Sequence, residues 1–315
     1  MKVLCTFVLA MAALLVVVGA AAQSSETMSL YADAKPYKDD PLPLLKTKVS
    51  ELVGLKADGS EVVLATILSK AGEVIVAQMP RVPNLIAEED IAQEQLSPNT
   101  GAFRYGGPGR QVIIDPVTQN NAMVPQSWRR FEYVIQAEHG EDDSIIFSES
   151  RKDLEKIGRE ASPRGTGFGS LWLMFVPSNV PESHFRYLGR QNVNRHATFV
   201  VGFAQDPKLV KMPGVIRMES GPVPLLYQGV AWIDQETFKI VRIRTDLLAP
   251  LPQIKLQQAS STVDFSEVTI PKFDARLWLP KRVEITWDLN GTRLGELHRY
   301  SKYRLFTATY RIVPD

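Results

Sequence analysis

The side chains of this chain best suited to metal binding or acid–base chemistry are its four histidines, which are His139, His184, His196 and His298. None of them belongs to an H-E-x-x-H motif or to another close metal-binding spacing, so a metal site would require convergence from separate strands. The acidic run Glu141-Asp142-Asp143 lacks the alternating oxygen ligands of a calcium loop and is more typical of a solvated turn. We therefore predict no metal site and no cofactor, and we assign no catalytic residue.

Serine chemistry has an equally weak sequence signal. The segment Gly167-Phe168-Gly169-Ser170 lacks the G-x-S-x-G frame of a nucleophile elbow. The glycines from Gly165 to Gly169 also lack the strand–helix context of a phosphate-binding loop. A hydrolase would need Ser170 or a histidine within hydrogen-bond reach of a base, and it remains a third hypothesis behind two non-enzymatic ones.

The first 22 residues have the pattern of a secretory signal peptide. Lys2 precedes an apolar run from Val3 to Val18, and Ala20-Ala21-Ala22 supplies the small-residue cleavage site, so we expect cleavage before Gln23 and export to the periplasm. Cys5, the only cysteine, would be lost with this peptide, which excludes disulfides and cysteine chemistry in the mature chain. Loss of Lys2 also balances the 36 basic against the 35 acidic residues, so no basic field favours nucleic acid.

The remaining chain predicts one helix followed by a series of strands. Residues 23–56 are interrupted by prolines and are predicted to be a linker or leader. A helix is predicted from Glu61 to Met79, because its apolar residues fall on one face at spacings of three and four. That face consists of Leu64, Ile67, Leu68, Ala71, Val74 and Ile75. A second, short helix is predicted from Ser170 to Val176.

About ten strands are expected from alternating apolar residues and from turn residues between them. The clearest is Val283 to Leu289, where every second side chain is apolar and Asn290-Gly291 then supplies a hairpin turn. Ser97 to Pro125 is predicted to be a long loop with one short strand at Val112 to Asp115, and Pro213 to Pro224 a proline-rich crossing. The predicted strands are Asn84–Leu96, Phe131–Ala137, Ile145–Arg151, His184–Arg190, Ala197–Ala204, Gly229–Ile233, Phe238–Arg244, Thr262–Thr269, Leu277–Asp288 and Thr292–Phe306. The fold class is antiparallel α+β.

Two hairpin segments carry a resemblance to a known family. The sequence Y-Q-G-x-A-W-I-D from Tyr227 to Asp234 and L-W-L-P-K-R-V-E-I from Leu277 to Ile285 resemble exported proteins of the LolA/LolB lipoprotein-localisation-factor-like superfamily. This resemblance implies a curved antiparallel sheet that wraps around one or two helices as an incomplete barrel, with a concave side that can hold acyl chains. It implies a single half-barrel domain over residues 57–315.

The functional hypothesis is a non-enzymatic, exported protein with an apolar cleft, a periplasmic carrier of a lipid or a lipoprotein. Each ligand methylene buried in such a cleft would contribute about 0.8 kcal/mol. The cleft is predicted to be lined by Trp172, Phe175, Phe199, Phe203, Trp232, Trp278 and Trp287. The alternative for each of these aromatic residues is ordinary core packing under the helix.

A second hypothesis is a structural or envelope-assembly protein that uses the same sheet for protein contacts. Arg242 and Arg244 alternate with apolar residues, and basic residues on the last predicted strand are expected to make one sheet face basic, where it would meet lipid head groups or an acidic partner. Those residues are His298, Arg299, Lys302 and Arg304. A solvated outer face is the alternative. We expect a monomer.

Overall fold

The computed structural model describes residues 27–60, 62–96, 123–139, 145–154, 171–211, 213–218 and 221–306. Over these ranges the chain forms an eleven-stranded sheet in which every strand pair is antiparallel, and a separate two-stranded sheet. The large sheet is curved and open, because the strands at its two ends do not pair with each other. This confirms the predicted α+β incomplete barrel.

The strands of the large sheet follow the order β1-β5-β6-β9-β10-β11-β12-β13-β2-β3-β4, and β7 pairs with β8 in the small sheet. Their bounds are β1 Lys56–Ala57, β2 Leu85–Leu96, β3 Met123–His139, β4 Ile145–Asp153, β5 Ser183–Val193, β6 His196–Gln205, β7 Gly214–Met218, β8 Gly221–Leu225, β9 Tyr227–Asp234, β10 Ile240–Leu247, β11 Leu256–Thr269, β12 Arg276–Leu289 and β13 Thr292–Leu305. Every predicted strand inside the described ranges is confirmed, with shifted bounds. The prediction of a proline-rich crossing from Pro213 to Pro224 is wrong, since this segment forms β7 and β8.

The inner, concave face of the sheet is covered by the long helix and a short 3₁₀ helix. The long helix, α3, runs from Val62 to Gln78, as predicted within one residue at each end, and buries Ile67, Ala71 and Ile75. The 3₁₀ helix Leu171–Phe175 confirms the second predicted helix. Both pack on inward-facing side chains of β6, β9, β10, β11 and β12.

The outer face is covered by the N-terminal segment. It contains helix α1 (residues 27–32), a 3₁₀ turn Tyr37–Asp39, helix α2 (Leu42–Lys48) and a second 3₁₀ turn Ser50–Gly54. Buried apolar residues hold these pieces on the sheet, namely Tyr37, Leu45, Val49, Leu52 and Leu55. The segment predicted to be a linker therefore has packed structure from residue 27 onwards.

Tight turns fix the hairpins as their sequences predict. Asn290 and Gly291 have φ of 54° and 73°, the positive values required at both central positions of the turn between β12 and β13. Asn194 and Arg195, with φ of 51° and 69°, form the corresponding turn between β5 and β6. The predicted signal peptide, the strand at 112–115, the acidic residues 141–143 and Ser170 lie outside the described residues.

Candidate functional site: the concave face

The concave face is divided into an apolar part, filled by α3, and a charged part. In the apolar part, the buried side of α3 contacts Val201, Phe203, Ile243 and other inward-facing residues. Gly229 makes room for this packing, because a Cβ atom there would lie 2.4 Å from the Phe203 ring and 2.0 Å from the Arg244 carbonyl oxygen. The apolar part is therefore closely packed around the helix.

Helix α3 is long and strongly apolar. The segment Val62–Arg81 is long and apolar enough to cross a membrane by length and composition, a test that core helices of soluble proteins also pass. Only 22% of the most apolar stretch of this segment is buried, and Val62 is 88% exposed. Among the described residues, the one side-chain hydrogen bond from α3 to the sheet is donated by Gln78 Nε2 to the Trp278 carbonyl oxygen, at 2.9 Å. Apolar contacts therefore dominate its attachment.

Half-buried aromatic rings lie beside α3 at one end of the half-barrel. Phe199 and Phe238 stack with ring centroids 6.0 Å apart, and Trp278 contacts His196 edge-on at 5.9 Å. We call Phe199, Phe238 and Trp278 the aromatic rim. All three pack on the core around α3 without being fully buried, so an aromatic surface extends from the core to solvent.

Six of the seven predicted cleft residues pack on the core that surrounds α3. Phe175 and Phe203 are fully buried there and contact each other at 5.9 Å, and Trp172 is buried beside them. Phe199 and Trp278 belong to the aromatic rim, and Trp287 lies where this core meets a second one at the other end of the sheet. The assignment of a ligand to these residues stays a prediction.

Trp232 does not join this group. Along β9, Ala231 and Ile233 point to the inner face, so Val230 and Trp232 point to the outer face. Trp232 is fully buried beneath the N-terminal segment, and its Nε1 donates to Gln191 Oε1 at 3.0 Å. Its role is to hold the outer layer.

The charged part of the concave face escaped the sequence analysis. It spans β13, β2 and β4, where Glu89 receives two hydrogen bonds from Arg151 and one contact from His298 Nδ1 at 2.8 Å. The other ring nitrogen of His298 lies 3.3 Å from Glu296 Oε2, and Gln93 Nε2 donates to Glu296 at 2.9 Å. Glu89 and His298 are fully buried. We call Glu89, Arg151, His298 and Glu296 the charged cluster.

Mutual pairing sets the ionisation of this cluster. Burial opposes charge on Glu89, but hydrogen bonds from His298 and Arg151 outweigh it and lower the pKa of Glu89 to about 2. Burial alone would lower the pKa of His298, yet its contacts with Glu296 and Glu89 raise that pKa. His298 is buried on the inner face between two carboxylates, so the predicted basic sheet face is wrong for this residue.

Other pairs of catalytic residue types have structural explanations. His196 Nδ1 lies 2.8 Å from Asp234, whose carboxylate also accepts backbone hydrogen bonds from Glu236 and Thr237 in the β9–β10 turn. His184 pairs with Asp206 at 2.9 Å on the surface. Within the described ranges, no three histidine, cysteine, aspartate or glutamate side chains converge as metal ligands.

A polar hollow of about 220 Å³ lies on the outer face. Its walls include Tyr37, Gln228, Arg244 and Asp246. Tyr37 donates its hydroxyl to Asp246 at 2.6 Å, and Arg244 pairs with both Asp246 and Glu51. Because these groups pair with one another, the hollow is lined by contacts that attach the N-terminal segment to the sheet.

No protein-family model and no curated protein sequence matches this chain. Distant likenesses among solved structures include two proteins. One is a DUF1329 family protein from Desulfovibrio piger, with 11% identity, a TM-score of 0.38, and coverage of 78% of this chain and 94% of that one. The other is an outer membrane lipoprotein-sorting protein domain from Vibrio parahaemolyticus, with 9% identity, a TM-score of 0.36, and coverage of 77% and 95%.

The open antiparallel sheet agrees with the fold expected from the sequence resemblance. At these TM-scores, neither structure assigns a family or an activity to this chain.

Proposed function

We propose that the protein is a non-enzymatic binding protein of the periplasm or cell envelope that holds the acyl chain of a lipid or lipoprotein on its concave face. In this proposal α3 occupies the place of the acyl chain when no ligand is bound. The observation that carries it is the attachment of α3, which among the described residues rests on apolar contacts, one side-chain hydrogen bond and one cation–π contact from Lys70 to Phe238.

The energies of the two occupants are comparable. The fully buried side chains of α3 are two isoleucines and one alanine, worth roughly 5 kcal/mol by transfer from water, and the half-buried Val63, Leu64 and Leu68 add roughly 3 kcal/mol. About ten methylenes of an acyl chain, at about 0.8 kcal/mol each, would contribute about 8 kcal/mol to the same surface. An acyl chain of ordinary length would therefore offset the displacement of the helix.

The polar groups of the concave face also support a binding role. Each member of the charged cluster is engaged by another member, so these groups are held in fixed positions. A general acid or base must instead reach a substrate proton. We therefore assign the charged cluster to rigidity of the sheet rather than to chemistry.

Two adjacent valines on β6 offer a matched test. Val201 faces α3 and Val200 faces the outer layer, and both are fully buried. Replacing either by threonine keeps the shape and buries a hydroxyl, at a cost of about 1–3 kcal/mol if it stays unpaired. We expect both variants to lose similar stability, while only Val201→Thr weakens binding of a fluorescent fatty acid.

Binding is measured by titration of the purified, delipidated protein with the fluorescent fatty acid, and stability by urea unfolding of the same samples. Equal acyl binding by Val201→Thr and the wild type would contradict a ligand on the inner face. Absence of any acyl binding by the wild type, together with stoichiometric protein capture from envelope extracts, would favour the assembly hypothesis instead.

A further inference from the structure

Three cations lie over aromatic rings at the end of the half-barrel where the aromatic rim is found. Lys70 Nζ of α3 lies 4.8 Å from the centroid of Phe238, and Lys239 Nζ lies 5.1 Å from that of Trp278. The guanidinium of Arg190 lies 5.8 Å from the centroid of Phe199. Each ring of the aromatic rim therefore carries its own cation.

Two of these cations lack an acidic partner. Arg190 pairs with Asp58 at 3.7 Å. In the described part of the chain, no carboxylate oxygen lies within 4.0 Å of the ammonium groups of Lys70 or Lys239. Elsewhere in the described structure, the exposed lysines Lys48 of α2 and Lys302 of β13 do form ion pairs. The ammonium groups of the rim are thus available to an external anion.

The surroundings of the rim form a continuous surface. The β5–β6 and β9–β10 turns and the connection from β11 to β12 lie at the same end of the antiparallel sheet, as their registers require. Helix α3 lies beside them, since its Lys70 contacts the Phe238 ring and its Gln78 donates to the Trp278 carbonyl oxygen. Aromatic and cationic groups are therefore combined at one end of the half-barrel.

We propose that this end of the half-barrel docks on the surface of an anionic lipid bilayer. Aromatic rings with adjacent lysines suit the interface between acyl chains and head groups, where the rings enter the apolar boundary and the ammonium groups meet phosphates. Phosphate groups of anionic lipids supply the negative charges that Lys70 and Lys239 do not find among the described residues. The proposal extends the proposed function, because an acyl ligand must be taken from or delivered to a bilayer.

The test uses flotation of the full mature chain with phosphatidylcholine vesicles, with and without phosphatidylglycerol. We expect binding only to the anionic vesicles, and a decrease of about 30-fold in the partition coefficient of the Lys70→Gln/Lys239→Gln double variant, from about 1 kcal/mol per lysine. The matched control is Lys152→Gln/Lys208→Gln, which removes two exposed lysines away from the rim and should leave the partition coefficient unchanged.

Equal loss of binding in both double variants would overturn the proposal, since net charge alone would then explain it. Equal binding of the wild type to neutral and anionic vesicles would overturn it as well. Retention on polyglutamate beads without binding to anionic vesicles would replace the bilayer by an acidic protein partner. Titration of each variant with a soluble fatty acid separates this proposal from the proposed function, because acyl binding must persist when only docking is lost.

Discussion

The imidazole Nδ1 of His298 lies 2.8 Å from the Oε1 atom of Glu89, although the two residues are 209 positions apart in the chain. Both side chains are fully buried, and Arg151 and Glu296 complete their pairing. This contact joins the last strand of the large sheet to β2, the first long one. The protonation of His298 and Glu89 therefore makes the stability of the sheet depend on pH.

The first prediction concerns the titration of His298. Because the pKa of His298 is raised in the folded state, its contribution to stability is complete below the unfolded pKa and is lost as pH rises through the folded pKa. We expect the free energy of unfolding to decrease over that range in the wild type, and this part of the decrease to vanish in His298→Gln. The measurement is urea unfolding at a series of pH values, with the exposed, Asp206-paired His184→Gln as the control that keeps the wild-type dependence.

The second prediction concerns Glu89. Replacing it by glutamine leaves Arg151 and His298 without their shared carboxylate, so we expect a loss of about 3–5 kcal/mol. Glu88→Gln removes only an exposed pair with Lys302 and should cost less than about 1 kcal/mol. Chemical denaturation of both variants at neutral pH measures the difference. Similar losses for the two neighbours would contradict a buried, charge-paired Glu89.

The third prediction concerns the stability that Glu89 contributes at acidic pH. The folded pKa of Glu89 is about 2, below its usual value of 4.5, so its contribution is present above pH 4.5 and is lost as pH falls to about 2. The shift corresponds to roughly 3 kcal/mol. We expect Glu89→Gln to have a flatter stability curve than the wild type between these pH values. If Glu89→Gln lost stability with falling pH as steeply as the wild type does, other carboxylates would account for the loss.

The fourth prediction tests whether the N-terminal segment is part of the folded unit. Leu45 of α2 is fully buried on the outer face, whereas its neighbour Leu44 is 46% exposed. We expect Leu45→Ala to lose about 2–5 kcal/mol and Leu44→Ala at most a few tenths. Thermal and urea unfolding measure both variants. A Leu45→Ala protein as stable as Leu44→Ala would mean that the segment is attached loosely.

Local signals in the sequence explain why most of the fold could be predicted. The face of α3 follows from the spacing of Ile67, Ala71 and Ile75, and the β12–β13 hairpin from Asn290-Gly291. These features depend on neighbours in sequence. By contrast, β7 and β8 were hidden by Pro213 before β7 and by Pro222 and Pro224 within β8, which a two-stranded sheet tolerates because each strand has a free edge.

The candidate site could be predicted only in part, because faces and registers depend on distant pairings. His298 was grouped with Lys302 and Arg304, yet an irregularity between Ser301 and Arg304, where Lys302 has φ of 51°, reverses which alternate residues face solvent. His298 and Tyr300 consequently point inward, while Arg304 points outward. The pairing of Glu89 with residues of β13 and β4 likewise has no local signal.

The strand order has a consequence for how the chain acquires its fold. Strand β2 pairs with β13, which follows the other twelve described strands in the chain, and with β3. Until β13 is available, β2, β3 and β4 cannot be joined to the other seven strands of the large sheet, and closing so long a loop is slow. Strand β13 therefore joins the two parts of the large sheet. In a chain cut short before Thr292, β2, β3 and β4 would form a sheet separate from the other seven strands.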